Sequence, residues 1–203
     1  MNSTEIENGI IHIYKNDDRL AKVIDVSGKW LLKPKKDYFN SLLKAIVQQQ
    51  LSIAAAASIY NRFISYFNGK IDPEKILTAQ DSDLRNLGMS NAKVKYAKDL
   101  AAKVLKGELN LKKVSSKTED EIIKELTIVK GIGVWSSHMF LIFTLGRLNI
   151  LPVGDLGIRR AAMNIYNLRK LPDEKKLCKI SEKNNWAPYN SVASWYLWQS
   201  LKL

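Results

Sequence analysis

Cysteine and histidine are almost missing from this chain. Among 203 residues Cys178 is the one cysteine, and His12 and His138 are the two histidines. A single thiol excludes an internal disulfide and any cluster that needs four cysteine ligands. Without an HExxH motif or a Cys/His group, a catalytic zinc site has no support either, and no metal ligand is assigned. No apolar run reaches about 18 residues and no basic-then-apolar leader is visible, so membrane spanning and export are not expected and the protein is read as intracellular. Acidic residues are also scarce. Asp and Glu number 20 against 32 Lys and Arg, a formal net charge of +12, which favours a polyanionic partner.

What remains is a globular composition, 46% hydrophobic, sufficient for one sizeable domain or two small ones sharing a core. Ile10 to Tyr14 suits a strand or an early helix, and Arg19 to Val26 a short helix before a Ser27-Gly28 turn. Lys33-Pro34-Lys35-Lys36 is a basic linker. From Asp37 onward Phe39, Leu42, Leu43, Ile46 and Val47 trace one helical face, which Gln48-Gln49-Gln50-Leu51 interrupts before Ser52 caps a helix from Ile53 to Tyr66. Short helices follow over 71–77 and 78–87. Ser90 or Asn91 then caps one from Ala92 to Lys106, with Val94, Ala97, Leu100 and Ala101 inward and Lys93, Lys95, Lys98 and Lys103 on polar surface. Leu109 to Ser116 reads as a linker.

The densest information lies between Thr118 and Tyr166. Thr118 and Glu121 have capping-box spacing, and Ile122, Ile123, Leu126 and Val129 continue at helical spacing up to Lys130-Gly131-Ile132-Gly133. Val134 to Leu145 is long enough for a second helix, ended by Gly146. Helix, glycine turn and helix together can present unpaired first-turn amides to a phosphate, aided by the helix dipole. Twenty-two residues after Gly133 stands Asp155, following Leu151-Pro152-Val153-Gly154 and placed to cap a helix through Ile158, Ala161, Ala162 and Ile165. Such an aspartate is ordinarily a cap; beside a DNA-binding hairpin it can also stabilise positive charge on a sugar losing its base.

Five segments, AIVQQQLSIAAAASIYNRF, LGMSNAKVKYAKDLA, LTIVKGIGVWSSHMFLIFTLGR, LPVGDLGIRRA and WAPYNSVASWYLW, resemble the helix-hairpin-helix glycosylase superfamily of DNA repair, and within it the 3-methyladenine DNA glycosylase II group. The resemblance covers nearly the whole chain. It implies an all-α, two-lobed fold, one lobe over 34–146 and the other combining 1–33 with 147–203, without the amino-terminal sheet domain of larger bacterial relatives.

It also implies roles. Asp155 is the catalytic carboxylate; Trp135, Met139 and Trp198 line the flipped-base pocket, with Trp195 as the alternative to Trp198. Gln50 is the wedge that fills the vacated stack, with Gln49 and Leu51 beside it. Lys130, Gly131, Ile132 and Gly133 are read as the grip on the DNA backbone; Arg159 and Arg160, following Asp155 on the same helix, either pair with acids or support a phosphate close to it. Departures from the family pattern are Gln48 where glycine is usual, Met139 where tyrosine is frequent, and Trp135 where bifunctional relatives carry the Schiff-base lysine. The single cysteine also separates this chain from relatives with a carboxy-terminal iron-sulfur cluster.

The expectation is a monofunctional enzyme that hydrolyses the glycosidic bond of alkylated purines such as 3-methyladenine and 7-methylguanine. Its partner is double-stranded DNA containing damaged bases, its state a monomer, and it requires no cofactor, the hairpin carbonyls being a candidate seat for a monovalent cation. The alternatives are a glycosylase for another deaminated or oxidised base and a non-catalytic helix-hairpin-helix DNA-binding module.

Overall fold

The computed structural model describes residues 3–203, and among them all regular structure is helical. In chain order the helices are α1 (Ser3–Asn16), α2 (Asp18–Ser27), α3 (Tyr38–Gln48), α4 (Ile53–Tyr66), α5 (Pro73–Thr78), α6 (Asp81–Asn86), α7 (Asn91–Leu105), α8 (Glu119–Leu126), α9 (Val134–Phe140), α10 (Leu156–Ile165), α11 (Glu174–Lys183) and α12 (Asn190–Ser200). A 3-10 turn over Leu111–Ser116 occupies the expected linker before α8. Ile10 to Tyr14, ambiguous in the sequence, lies inside α1.

Local side chains start most of these helices. Asp17, Asp37, Ser52, Asp72, Ser90, Asp155 and Asp173 each accept from a first-turn amide of the helix that follows, satisfying donors that have no carbonyl four residues earlier. At α8 the full capping box forms between Thr118 and Glu121.

Two compact units divide the elements, Met1–Pro34 with Leu141–Leu203, and Lys35–Phe140. The sequence expectation set the second edge at 146, after a single long helix. Instead α9 stops at Phe140 and a π-helical turn, Leu141–Leu145, follows, closed by a bond from the Arg147 amide to the Leu141 carbonyl at 2.9 Å. Within this widened turn Leu141 and Ile142 are both fully buried. The division therefore falls where the hydrogen-bond register changes.

In Lys35–Phe140, α7 is the central element and packs on α3, α5 and α6, while α3 also packs on α4 and α9, and α8 on α9. Its core holds Leu43, Ile46, Phe63, Ile76, Leu84, Leu100 and Leu126, all without exposure.

The other unit packs α1, α2 and α10 around α12. Its centre is a buried polar knot. Asp17, 2% exposed, caps α2 through the amides of Arg19 and Leu20 at 3.1 and 3.0 Å. Its other oxygen accepts from the Trp186 indole at 2.8 Å and from the Tyr166 hydroxyl. Burial, and then the neighbouring Asp17 carboxylate, hold the Tyr166 phenol far above its ordinary range, so Tyr166 acts as a hydrogen-bond donor at all working pH. Each bond to that carboxylate contributes about 1.5–3 kcal/mol.

Candidate functional site

The expected site residues are distributed between the two units. In Lys35–Phe140 the turn between α8 and α9 is tightly specified. The Lys130 amide donates to Asp99 Oδ2 at 2.8 Å, and the Ile132 amide to the Val129 carbonyl at 3.0 Å. Ile132 is a buried side chain, so this residue serves the turn as a packing anchor and its amide is committed inside it. Gly131 has φ +80°, and a Cβ there would lie 2.2 Å from the Tyr96 ring. Only glycine satisfies both the backbone angle and the close approach.

The amides of Gly131 and Gly133 donate to no acceptor among the described residues, and both residues are exposed together with Lys130. These are the amides left for an outside anion. Three nearby carbonyls are partly committed: Val129 accepts from Ile132, Gly131 from the Gln49 side chain at 2.7 Å, and Gly133 from the Ser137 amide and hydroxyl, each at 3.0 Å. The Gly133 oxygen thus has both lone pairs engaged, whereas those of Val129 and Gly131 each keep one for a monovalent cation.

The glutamine loop sits in the same unit. The Gln49 amide group is turned onto the Gly131 carbonyl, so this side chain is bonded to the hairpin. Gln50 is exposed and takes φ +58°, a left-handed conformation that costs a non-glycine residue about 1–2 kcal/mol. Leu51 beside it is also exposed. Behind the loop, Lys93 Nζ donates to the carbonyls of Val47 and Gln49 at 2.8 and 2.7 Å. Burial draws the Lys93 ammonium below its ordinary value.

Along α9, Trp135 is 49% exposed and Met139, one turn on, is half-buried. They share a helix face, as their spacing requires. Ile142, the next residue at that spacing, is buried inside the π turn. Half-buried His138 lies on α9, and burial pulls its imidazole below the usual range.

The other unit holds the carboxylate. Asp155, 7% exposed, caps α10: its Oδ1 accepts from the Ile158 amide at 2.7 Å and from the Trp198 indole at 3.0 Å. Trp198 is thus the tryptophan at Asp155, and its ring lies 5.7 Å from that of Phe143 in the π turn. Trp195 stacks on Trp30 instead. A Cβ on Gly157 would stand 3.0 Å from Asp155 Oδ1 and 3.4 Å from Trp198 Cδ1, so the bare glycine leaves room for the indole to reach the carboxylate. Arg159 is half-buried and directs Nε to the Pro172 carbonyl at 2.6 Å, which ties α10 to the loop before α11. Arg160 is exposed.

Lys93, expected on polar surface, is instead half-buried and bonded to the end of α3, and Tyr96 and Asp99 carried no sequence signal of their roles beyond a spacing of three along one helix with it. Lysines on such a helix ordinarily face solvent.

Comparison with known families decides the relationship. The family model described as "HhH-GPD superfamily base excision DNA repair protein" matches residues 43–186. The chain belongs to this superfamily. This HhH-GPD chain is 33% identical over 208 aligned positions to DNA-3-methyladenine glycosylase 1 of Schizosaccharomyces pombe, covering 98% of the chain and 90% of that protein. It is 32% identical to a putative DNA-3-methyladenine glycosylase of Bacillus subtilis, covering 81% of the chain and 59% of the relative.

Among solved structures, the Schizosaccharomyces pombe 3-methyladenine DNA glycosylase in complex with abasic DNA superposes with a TM-score of 0.84 at 33% identity, over 97% of each chain. A DNA-3-methyladenine glycosidase from Bacillus halodurans gives 0.81 at 36% identity, over 95% of this chain and 88% of that one. The HhH-GPD chain therefore has the all-α helix-hairpin-helix glycosylase fold. No helix of the described residues is long and apolar enough to cross a membrane.

Proposed function

We propose that this HhH-GPD chain is a monofunctional DNA glycosylase that hydrolyses the N-glycosidic bond of alkylated purines, such as 3-methyladenine and 7-methylguanine, in duplex DNA. The observation that carries the reading is Asp155: a nearly buried carboxylate, fixed by a helix amide and an indole, in a chain of this family. The two relatives and the two structures named above are all called 3-methyladenine glycosylases or glycosidases. A Clostridium acetobutylicum 8-oxoguanine glycosylase/lyase, at 21% identity, shares the fold alone.

In the proposed reaction the exposed amides of Gly131 and Gly133, with Lys130 beside them, hold a phosphate while the damaged nucleotide leaves the stack. Gln50 enters the vacancy and offsets part of the lost stacking. The base is received by Trp135, whose half-exposed indole suits a positively charged alkylated purine, with Met139 one turn on as further lining. As the glycosidic bond breaks, Asp155 stabilises the oxocarbenium-like sugar and orients water for attack. An alkylated purine already carries positive charge and leaves without a dedicated acid, so one carboxylate suffices.

Trp135 where a lyase would need its amine leaves water as the nucleophile. The reading requires no cofactor and routes no step through a hairpin cation. Double-stranded DNA is the partner, the protein acting as a monomer inside the cell.

The test is incubation with duplexes that each carry one defined lesion, followed separately by buffer and by alkali. Strand breaks at alkylated purines that need alkali are expected. Breaks in buffer alone, or release only of deaminated or oxidised bases, would contradict the reading.

A further inference from the structure

Helix α7 meets both loops assigned to DNA, through three consecutive turns of side chains. Lys93 holds the end of α3 by the carbonyls of Val47 and Gln49, at 2.8 and 2.7 Å. Tyr96 packs its ring against the bare Cα of Gly131. Asp99 accepts the Lys130 amide at 2.8 Å. A direct strut joins the two loops, from Gln49 Nε2 to the Gly131 carbonyl at 2.7 Å. The Gln49 residue is thus held at both ends, by Lys93 at its backbone and by the hairpin at its side chain. The next residue is Gln50, exposed and in a left-handed conformation that no neighbouring glycine relaxes.

From this arrangement we infer that Lys93 is a positioning residue, which fixes the Gln50 wedge in register with the phosphate-binding amides of the hairpin. The inference rests on the wedge role given to Gln50 above.

The chemistry explains why lysine suits the place. The last carbonyls of a helix carry its negative pole and lack intrahelical donors. One ammonium supplies donors to two of them and thereby sets the direction in which the chain leaves α3. A neutral side chain of the same length would leave both carbonyls to water and free the loop to turn about Gln49. The hairpin, still held by Asp99 and Tyr96, would keep its own geometry. Loss of Lys93 is therefore expected to spare the grip on intact DNA and to impair recognition of a vacated stack.

The experiment measures, by fluorescence anisotropy, the Kd of the full chain for an intact duplex and for the same duplex containing a tetrahydrofuran abasic site. Thermal midpoints are recorded in parallel. Wild-type protein should prefer the abasic duplex. Lys93→Met should bind intact DNA within about twofold of wild type and lose roughly tenfold of the abasic preference, and Lys93→Arg, which retains several donors, should recover most of it.

Gln50→Ala should lose the preference too, and Lys93→Met added to it should then change little, because both act through one wedge. Gln49→Ala, which removes only the strut, should reproduce the pattern in part and serves if Lys93→Met does not fold. Equal loss of affinity for both duplexes in step with a lowered midpoint would overturn the inference, as would effects of Lys93→Met and Gln50→Ala that simply multiply. The preference is read without base removal, so failure of the excision reading and failure of this one give different results.

Discussion

In Lys35–Phe140 the groups proposed to meet DNA are exposed, half of them backbone: the Gly131 and Gly133 amides, the Lys130 side chain and the Gln50 tip. In the other unit the proposed reacting group is a side chain withdrawn from water, Asp155 at 7% exposure, with one oxygen accepting from both the Ile158 amide and the Trp198 indole. The contrast follows from what each must do. A grip that ignores base sequence uses amides that water satisfies until a phosphate replaces it. Stabilising a developing cation needs a carboxylate with fixed geometry and reduced screening, since the same charge acts more strongly where the local dielectric is low. Binding and chemistry are therefore separable by substitution.

The largest expected effect on binding breaks the grip. In Gly131→Ala the new methyl meets the Tyr96 ring and a φ of +80°, so the hairpin must shift. Affinity for intact and damaged duplexes should fall together by roughly 10–100-fold, while single-turnover excision at saturating DNA stays close to wild type. Retained affinity would show that the hairpin amides are not the main contact. Next, Trp198→Phe keeps an aromatic ring beside Phe143 and removes the donor to Asp155. Excision should slow by roughly 5–20-fold with Kd unchanged within about twofold; a raised Kd and unchanged rate would place Trp198 in binding.

The smallest effect concerns pH. Burial depresses the His138 imidazole in the folded state, so the unfolded chain binds more protons below the ordinary imidazole value. Stability is then full above that value and declines as pH falls toward the lower folded one. His138→Gln should flatten this slope of melting temperature between pH 7 and pH 5, and an unchanged slope would assign it to other groups.

Local chemistry was readable from residue order. The Thr118 capping box, the caps at Ser52, Ser90 and Asp155, and the glycine turn all depend on side chains within a few positions of the backbone they serve. The π turn at Leu141–Leu145 was not, because no glycine or proline marks it within the apolar run. Nor were Lys93, Asp99 and the Gln49 strut, whose partners lie 31 to 82 positions away. Nor did spacing show that Arg159, read as either an acid partner or a phosphate neighbour, commits its Nε to a carbonyl 13 residues on. The family resemblance supplied what spacing could not, the proposal that the Asp155 helix cap also serves sugar chemistry.

The most direct measurement compares Asp155→Asn with wild type on one duplex carrying 3-methyladenine or 7-methylguanine, recording single-turnover excision and Kd together. The account predicts a rate lower by at least about 100-fold with Kd within severalfold. Excision at the wild-type rate would contradict it.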